Sequence, residues 1–306
     1  MPLLKINELE DMSAIFRGRC GNALARGLMH MLAVDKVNGL YDRHSMLQGP
    51  DFAHAVLQDI GLSPEIFVNG SSCSAPVYSS VDSSDFRARL SVILPEGPFI
   101  TVSNHPCGHV DGISLVELFG HIRPDYKVMV NRILARAETL ESNFISVTPT
   151  GNRRTAPTAA SVSGIKAALA HLRSGGALGL FPSGAVSDLS LPVALGLRKS
   201  SEPAVRDREW QEAVIKLIMK AEVPVIPVRF FDGNSPFYYS LGLIDWRIRL
   251  LRLLPEVFNK AGSRFRIGIG PVISVREQKR IISAAPSPSA ALDSLRTHLR
   301  ASVYSI

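Results

Sequence analysis

Six short apolar runs, most of them containing β-branched residues, punctuate this chain, at residues 99–102, 127–130, 144–148, 177–181, 225–231 and 265–269. Between and after them, residues 112–120, 135–141, 158–172, 207–221 and 289–302 carry helical spacing. Parallel strands need a connection long enough for a helix. The alternation therefore predicts an α/β fold, a mostly parallel mixed sheet flanked by helices. An N-terminal helical segment precedes it. In residues 12–34, Met12, Ile15, Phe16, Leu24, Leu28 and Met31 share one side of a helical wheel, while Arg17, Arg19 and Arg26 fall mostly elsewhere. Such a helix packs on its own domain or lies on a membrane surface, and both readings stay open. Residues 51–60 read as a second helix that Gly61 can end. Residues 68–84 are rich in Ser and Gly and read as irregular. A soft boundary near Asp85 divides the chain into 1–84, a helical region with a possible membrane contact, and 85–306, the α/β body.

The first strand of the body ends in a polar turn, Ser103-Asn104-His105-Pro106-Cys107-Gly108-His109-Val110-Asp111. His105 falls just past the strand. Asp111 falls at or near a helix start, where free N–H groups and a partial positive charge favour a carboxylate. Strand ends of this kind are where α/β proteins place their chemistry. Imidazole, with a pKa of about 6.5, can accept a proton at neutral pH. A carboxylate on its other nitrogen sets the tautomer. The plainer reading is a capping Asp beside a loop His. His105, Cys107, His109 and Asp111 alternate as in some zinc hydrolases, but Gly112 stands where those clusters add a further His. No metal is therefore expected, and a metal-dependent hydrolase is kept as an alternative. A second candidate is 178–187, where Pro182 and Gly184 break an apolar strand. Turns such as those at Gly108 and Gly184 can offer N–H groups to an oxyanion. A third is 223–228, where Pro224 and Pro227 suggest an edge strand or a strand end near a ligand.

Composition narrows the setting. Hydrophobic residues make up 46% of the chain, yet no run reaches the roughly eighteen apolar residues of a membrane span. The start, MPLLKINELEDMS, has no apolar core, so no signal peptide is expected. Three widely spread cysteines suit a reducing compartment, which points to the cytoplasm. A net charge of +7 suits anionic lipid, an acidic carrier protein or nucleic acid. No nucleic-acid motif accompanies the charge, so nucleic acid is not an expected partner. A serine hydrolase lacks support, because no Gly-x-Ser-x-Gly elbow is present. Residues 237–254 bring Phe237, Tyr238, Tyr239 and Trp246 near Arg247, Arg249 and Arg252. They read as a membrane-facing stretch or as core with surface charges.

Taken in order, the three blocks resemble the motifs of the glycerolipid acyltransferases typified by 1-acylglycerol-3-phosphate acyltransferase. More closely, the chain looks like their hemolysin-like bacterial branch, which includes acyltransferases making ornithine and glycine aminolipids. The family's first motif is His, four residues, Asp. Here five residues separate His105 from Asp111, a spacing that looks typical of that branch. The third motif, usually Phe-Pro-Glu-Gly-Thr-Arg, appears as Phe181-Pro182-Ser183-Gly184-Ala185-Val186, and the fourth as residues 223–228. The resemblance implies acyl transfer from an acyl carrier protein or coenzyme A thioester to a lysolipid hydroxyl, with no cofactor beyond that thioester. It implies His105 and Asp111 as the catalytic pair, and Asn104, Gly108, Arg132, Phe181, Pro182, Ser183 and Gly184 around the substrate. It also implies a peripheral position on the cytoplasmic face of an anionic membrane. The departures favour a particular acceptor. The second motif, Phe-Ile-x-Arg, is here Phe144-Ile145-Ser146-Val147, and the third lacks its Glu and Arg. Arginine grips phosphate with two charge-assisted bonds that valine cannot make. A lyso-aminolipid, such as a lyso-glycine or lyso-ornithine lipid, is therefore favoured over lysophosphatidic acid, unless Arg132, Arg153 or Arg154 compensates. The losses in the third motif also allow a non-catalytic lipid-binding protein.

Overall fold

The computed structural model describes residues 29–68, 90–131, 137–147, 159–244, 249–250 and 252–306, with positions 23, 26 and 27. Most of the 12–34 stretch lies outside the described residues, as do Arg132, Arg153, Arg154, Trp246 and Arg247. The strands are β1 (Ser63–Val68), β2 (Ile100–Ser103), β3 (Lys127–Asn131), β4 (Phe144–Val147), β5 (Leu178–Leu180), β6 (Asp188–Leu189), β7 (Val205–Arg206), β8 (Val225–Phe230) and β9 (Arg264–Ile269). The helices are α1 (Val34–His44), α2 (Gly49–Ile60), α3 (His109–Gly120), α4 (Ala159–Arg173), α5 (Leu191–Ala194), α6 (Glu212–Ala221), α7 (Pro236–Ile244), α8 (Leu253–Phe258), α9 (Val275–Ser283) and α10 (Pro288–Tyr304).

Seven strands form one sheet in the order β1-β9-β8-β2-β5-β3-β4, while β6 and β7 make a small antiparallel pair. Only the β8–β9 pair of the large sheet is antiparallel. This is the mostly parallel mixed sheet that the alternation of runs implies. On one face, α2 and α3 help to cover Phe99, Val128, Ile226, Val228 and Phe230. On the other, α4, α6 and α10 help to cover Ile100, Val102, Leu178, Leu180 and Val225. Strand β2 lies in the middle with all four residues buried. Its one mid-strand hydroxyl, Thr101 Oγ1, is 2.6 Å from Tyr126 Oη and so is paired. The facing residue is Gly179, where a Cβ would lie 2.3 Å from that same Tyr126 oxygen.

Several local expectations change. Strand β1 was not legible, because SPEIFV buries only Ile66 and carries a proline and a glutamate. It sits at the sheet edge, where both are tolerated, and it pairs in parallel with β9. The stretch 12–34 does not run on into α1, since Ala33 is left-handed with φ 56°. Within 135–141, the described part is 3-10 helix, Glu138–Asn143. Strand β8 is not an edge: β9 and β2 flank it. Pro227 is accommodated because its missing N–H lies on the same side as Val225 N, which bonds to Ile273 O. That side is the interval between Ile269 and Ile273, where β9 has already ended.

Gly179→Ala should therefore destabilise the protein by about 1–3 kcal/mol through overpacking. In a Tyr126→Phe background, which lacks the clashing oxygen, the cost of Gly179→Ala should shrink. A double-mutant cycle by urea denaturation measures the coupling, and additive effects would refute this packing account.

Candidate active site

Where β2 ends, the side chain of Asn104 carries the ladder one step further. Its Nδ2 donates to Phe230 O at 2.8 Å and its Oδ1 accepts from Phe230 N at 2.8 Å. The backbone is thereby released to turn at His105. Gly108 permits the turn, with φ 75°, and a Cβ there would lie 2.8 Å from Leu253 Cδ1. Helix α3 then starts at His109. Asp111, in its first turn, reaches back and accepts from Cys107 N at 2.8 Å and Gly108 N at 2.9 Å. That is the backward half of a capping box, and it places a buried carboxylate beside the turn.

The same carboxylate meets the imidazole. Asp111 Oδ2 lies 3.0 Å from His105 Nδ1, and the side chains are 0% and 17% exposed. The oxygen lies off the ring N–H line, so the contact is close without being an aligned hydrogen bond. The ring stacks on Phe181, with centroids 3.9 Å apart and planes at 30°. Phe181 follows the carboxyl end of β5, the strand next to β2. The sheet thus brings the first and third blocks together at one edge, and Asn104 ties in the end of β8.

A residue that sequence reading missed completes the support. Asp207 falls inside the expected helix 207–221, but α6 begins only at Glu212. The Asp207 carboxylate turns inward instead. Its Oδ1 accepts from His105 N at 3.1 Å and from Ser187 Oγ at 2.6 Å, and its Oδ2 accepts from Trp210 Nε1 at 3.0 Å. Burial pushes its carboxyl above the usual range, opposed by those bonds. Ser187 N in turn donates to His105 O at 2.9 Å. The His105 backbone is therefore held on both sides. No sequence signal separates Asp207 from an ordinary helix-start aspartate.

A family model described as Acyltransferase matches residues 61–287. The chain belongs to that acyltransferase family. It is also similar to two curated relatives named lyso-glycine lipid O-acyltransferase. The one from Bacteroides thetaiotaomicron is 28% identical over 186 residues, 58% of this chain and 61% of the relative. The one from Phocaeicola vulgatus is 28% identical over 189 residues, 59% and 61%. The chain thus spans about three fifths of the length of these relatives.

Among the acyltransferase motif positions, the substituted ones take up apolar or local roles. Val186 is buried with Tyr238, Tyr239 and Leu253. Pro182 and Ser183 are both buried in the turn after β5. Ser183 Oγ donates to Ala185 O at 2.7 Å, closing its own turn. The turn is pinned by Gln211, whose N donates to Pro182 O at 2.8 Å and whose Nε2 donates to Ser183 O at 3.3 Å. The N–H groups of Gly108 and Gly184 themselves donate to Asp111 Oδ2 and Phe181 O respectively. Arg132 lies outside the described residues.

The alternating residues of the first block do not converge either. Among the described residues, no three His, Cys, Asp or Glu side chains are grouped to hold a metal ion. Cys107 Sγ donates to Asp232 O at 3.2 Å, and burial pushes its thiol well up, away from a reactive thiolate. His109 is half-buried, and burial followed by the nearby His105 pulls its imidazole down from 6.5 to about 4.

Folding therefore favours the neutral form of His109. Its contribution is complete above the unfolded pKa of 6.5 and is lost as the pH falls towards about 4. Urea midpoints at pH 7 and pH 5 should drop less for His109→Gln than for the wild type. An equal drop in both would show that His109 does not carry the acid sensitivity.

Proposed function

We propose that this chain moves a fatty acyl group from an acyl carrier protein or coenzyme A thioester to the hydroxyl of a lysolipid, with a lyso-aminolipid such as a lyso-glycine or lyso-ornithine lipid as the favoured acceptor. The observation that carries the reading is the His105–Asp111 pair at the carboxyl edge of the central strand, inside the matched acyltransferase residues. The acceptor hydroxyl approaches Nε2, the ring nitrogen turned away from Asp111, and passes its proton there as its oxygen attacks the thioester carbonyl. Asp111 orients the imidazole through Nδ1 and stabilises the imidazolium. The misaligned contact fits this role, because catalytic hydrogen bonds often tighten only around bound substrate. When the tetrahedral adduct collapses, the C–S bond breaks and the imidazolium returns the proton to the departing thiolate. The thioester is activated already, so neither a covalent enzyme intermediate nor a cofactor is invoked.

The acceptor preference is supported by position 186. A valine sealed among two tyrosines and a leucine leaves no cation where the phosphate-reading relatives carry one. The curated relatives' printed names point the same way. Because the acceptor is itself lipid, the reaction belongs at a membrane surface. No helix among the described residues is long and apolar enough to cross one. We infer a peripheral protein on the cytoplasmic face.

His105→Ala should lower the transfer rate by about a hundred- to ten-thousand-fold while leaving the protein folded. Asp111→Asn should lose most activity through the wrong tautomer. A His105→Ala enzyme within a few-fold of wild type would remove the proposed base.

Acceptor choice has its own assay. With lyso-glycine lipid and lysophosphatidic acid at equal concentration, kcat/KM should favour the aminolipid. The reverse preference would return the phosphate-binding task to Arg132, Arg153 or Arg154.

A further inference from the structure

The segment between Ser187 and Asp207 has no role in the chemistry above, yet it rises from two residues that hold the His105 backbone. It carries Leu195 and Leu197, 66% and 77% exposed, followed at once by exposed Arg198 and Lys199. Its base packs against α7, because Leu189 and Val205 rest on Tyr238, Tyr239 and Leu253. Helix α7 presents Phe237 and Ile244, 56% and 76% exposed. The Arg252 guanidinium sits 5.4 Å over the Phe237 ring. Single exposed apolar side chains are ordinary. Bulky ones crowded on two neighbouring segments, interspersed with cations, mark an interaction surface.

For residues 237–254, read above in two ways, the described side chains divide: Phe237 is exposed, while others turn inward. Tyr238, Tyr239 and Arg249 are buried and do not form a wet aromatic and basic face. Arg249 donates to Ser187 O at 3.1 Å and Val186 O at 3.3 Å, pairs with Asp188, and lies over the Tyr238 ring. It is a clamp that ties down the base of the segment, while the leucines and the Arg198–Lys199 pair beyond it stay outside.

We propose that the tips of the 188–206 segment and of α7 dock this acyltransferase on an anionic bilayer, holding the His105 edge of the sheet against the membrane. The proposal rests on the lysolipid reading for its purpose, but its geometry stands alone. Leucines beside exposed Arg198 and Lys199 complement a surface that is apolar beneath and negative at the headgroups. Because the segment shares its anchors, Ser187 and Asp207, with the His105 turn, docking fixes the distance from the membrane to the imidazole.

The test uses the full chain and vesicles of equal parts phosphatidylglycerol and phosphatidylcholine. The wild type should float with these vesicles and release as salt rises. The variant Leu191→Ser/Leu195→Ser/Leu197→Ser should bind them about tenfold more weakly or worse. Phe237→Ser/Ile244→Ser, at the second segment, should weaken binding in the same direction. All substituted residues are exposed, and circular dichroism should report unchanged folding. Transfer to lyso-glycine lipid in vesicles should fall with binding, while transfer to the same lipid in detergent micelles should hold at the wild-type rate. If both variants bind vesicles like the wild type, the docking surface is wrong. Loss of a wild-type dimer in the variants, with vesicle binding intact, would instead assign the patch to self-association and overturn the proposal. If the wild type binds vesicles through these residues yet acylates no lysolipid, the docking stands and the acceptor reading falls.

Discussion

Strand β2 is bonded on both sides to parallel strands, β5 and β8, and is buried along its whole length. Parallel pairing sends three carboxyl ends to one edge of the sheet, and the site is the consequence. His105 follows β2, Phe181 follows β5, and Phe230 at the end of β8 takes both hydrogen bonds of the Asn104 amide. An antiparallel neighbour at either position would have sent one of these blocks to the opposite edge. The antiparallel pairing in this sheet, β8–β9, falls on the side of β8 away from β2 and leaves the parallel pairing of the trio intact.

Two buried carboxylates are organised around a single residue, and they do different work. Asp111 meets the His105 ring and collects two amide N–H groups at the start of α3. Asp207 meets the His105 backbone and collects a hydroxyl and an indole N–H. Burying a carboxylate is expensive unless donors replace its water. A helix start supplies two donors to Asp111, whereas Asp207 takes its donors from Trp210 and from two distant turns. Burial still pushes the Asp207 carboxyl up. One carboxylate can orient the imidazole while the other fixes where the imidazole hangs.

The changes at family positions 183 and 186 have a shared logic. Where charged groups are lost, the backbone turn closes on itself and the vacated space is filled by apolar packing against α7 and α8. A buried arginine, Arg249, is nearby, but it is spent on carbonyls and on Asp188 and serves as structure. Exposed positive charge in this region sits at Arg198 and Lys199, beside the exposed leucines.

Local chemistry made much of this legible from the chain alone. Short apolar runs bounded by turn residues read as buried strands, so six of the seven strands of the large sheet could be placed to within a residue or two. Pro and Gly after two of them marked the turns that hold His105 and Phe181. The His105–Asp111 pairing could be read because both ends lie within one strand–turn–helix unit, where spacing constrains distance. Only the tertiary structure decided the rest. Strand β1 opens on Ser63, Pro64 and Glu65 and keeps only Ile66 buried, which its place at the sheet edge tolerates. Asp207 looks like a helix start until Ser187 and His105, from two other stretches of chain, are seen to donate to it beside its near neighbour Trp210. Arg249 reads as a surface charge until carbonyls distant in sequence enclose it. Periodicity reports how a residue sits relative to its own neighbours. Which buried group it will meet from sixty or a hundred residues away is settled by the packing of the sheet and its helices, and no local pattern encodes it.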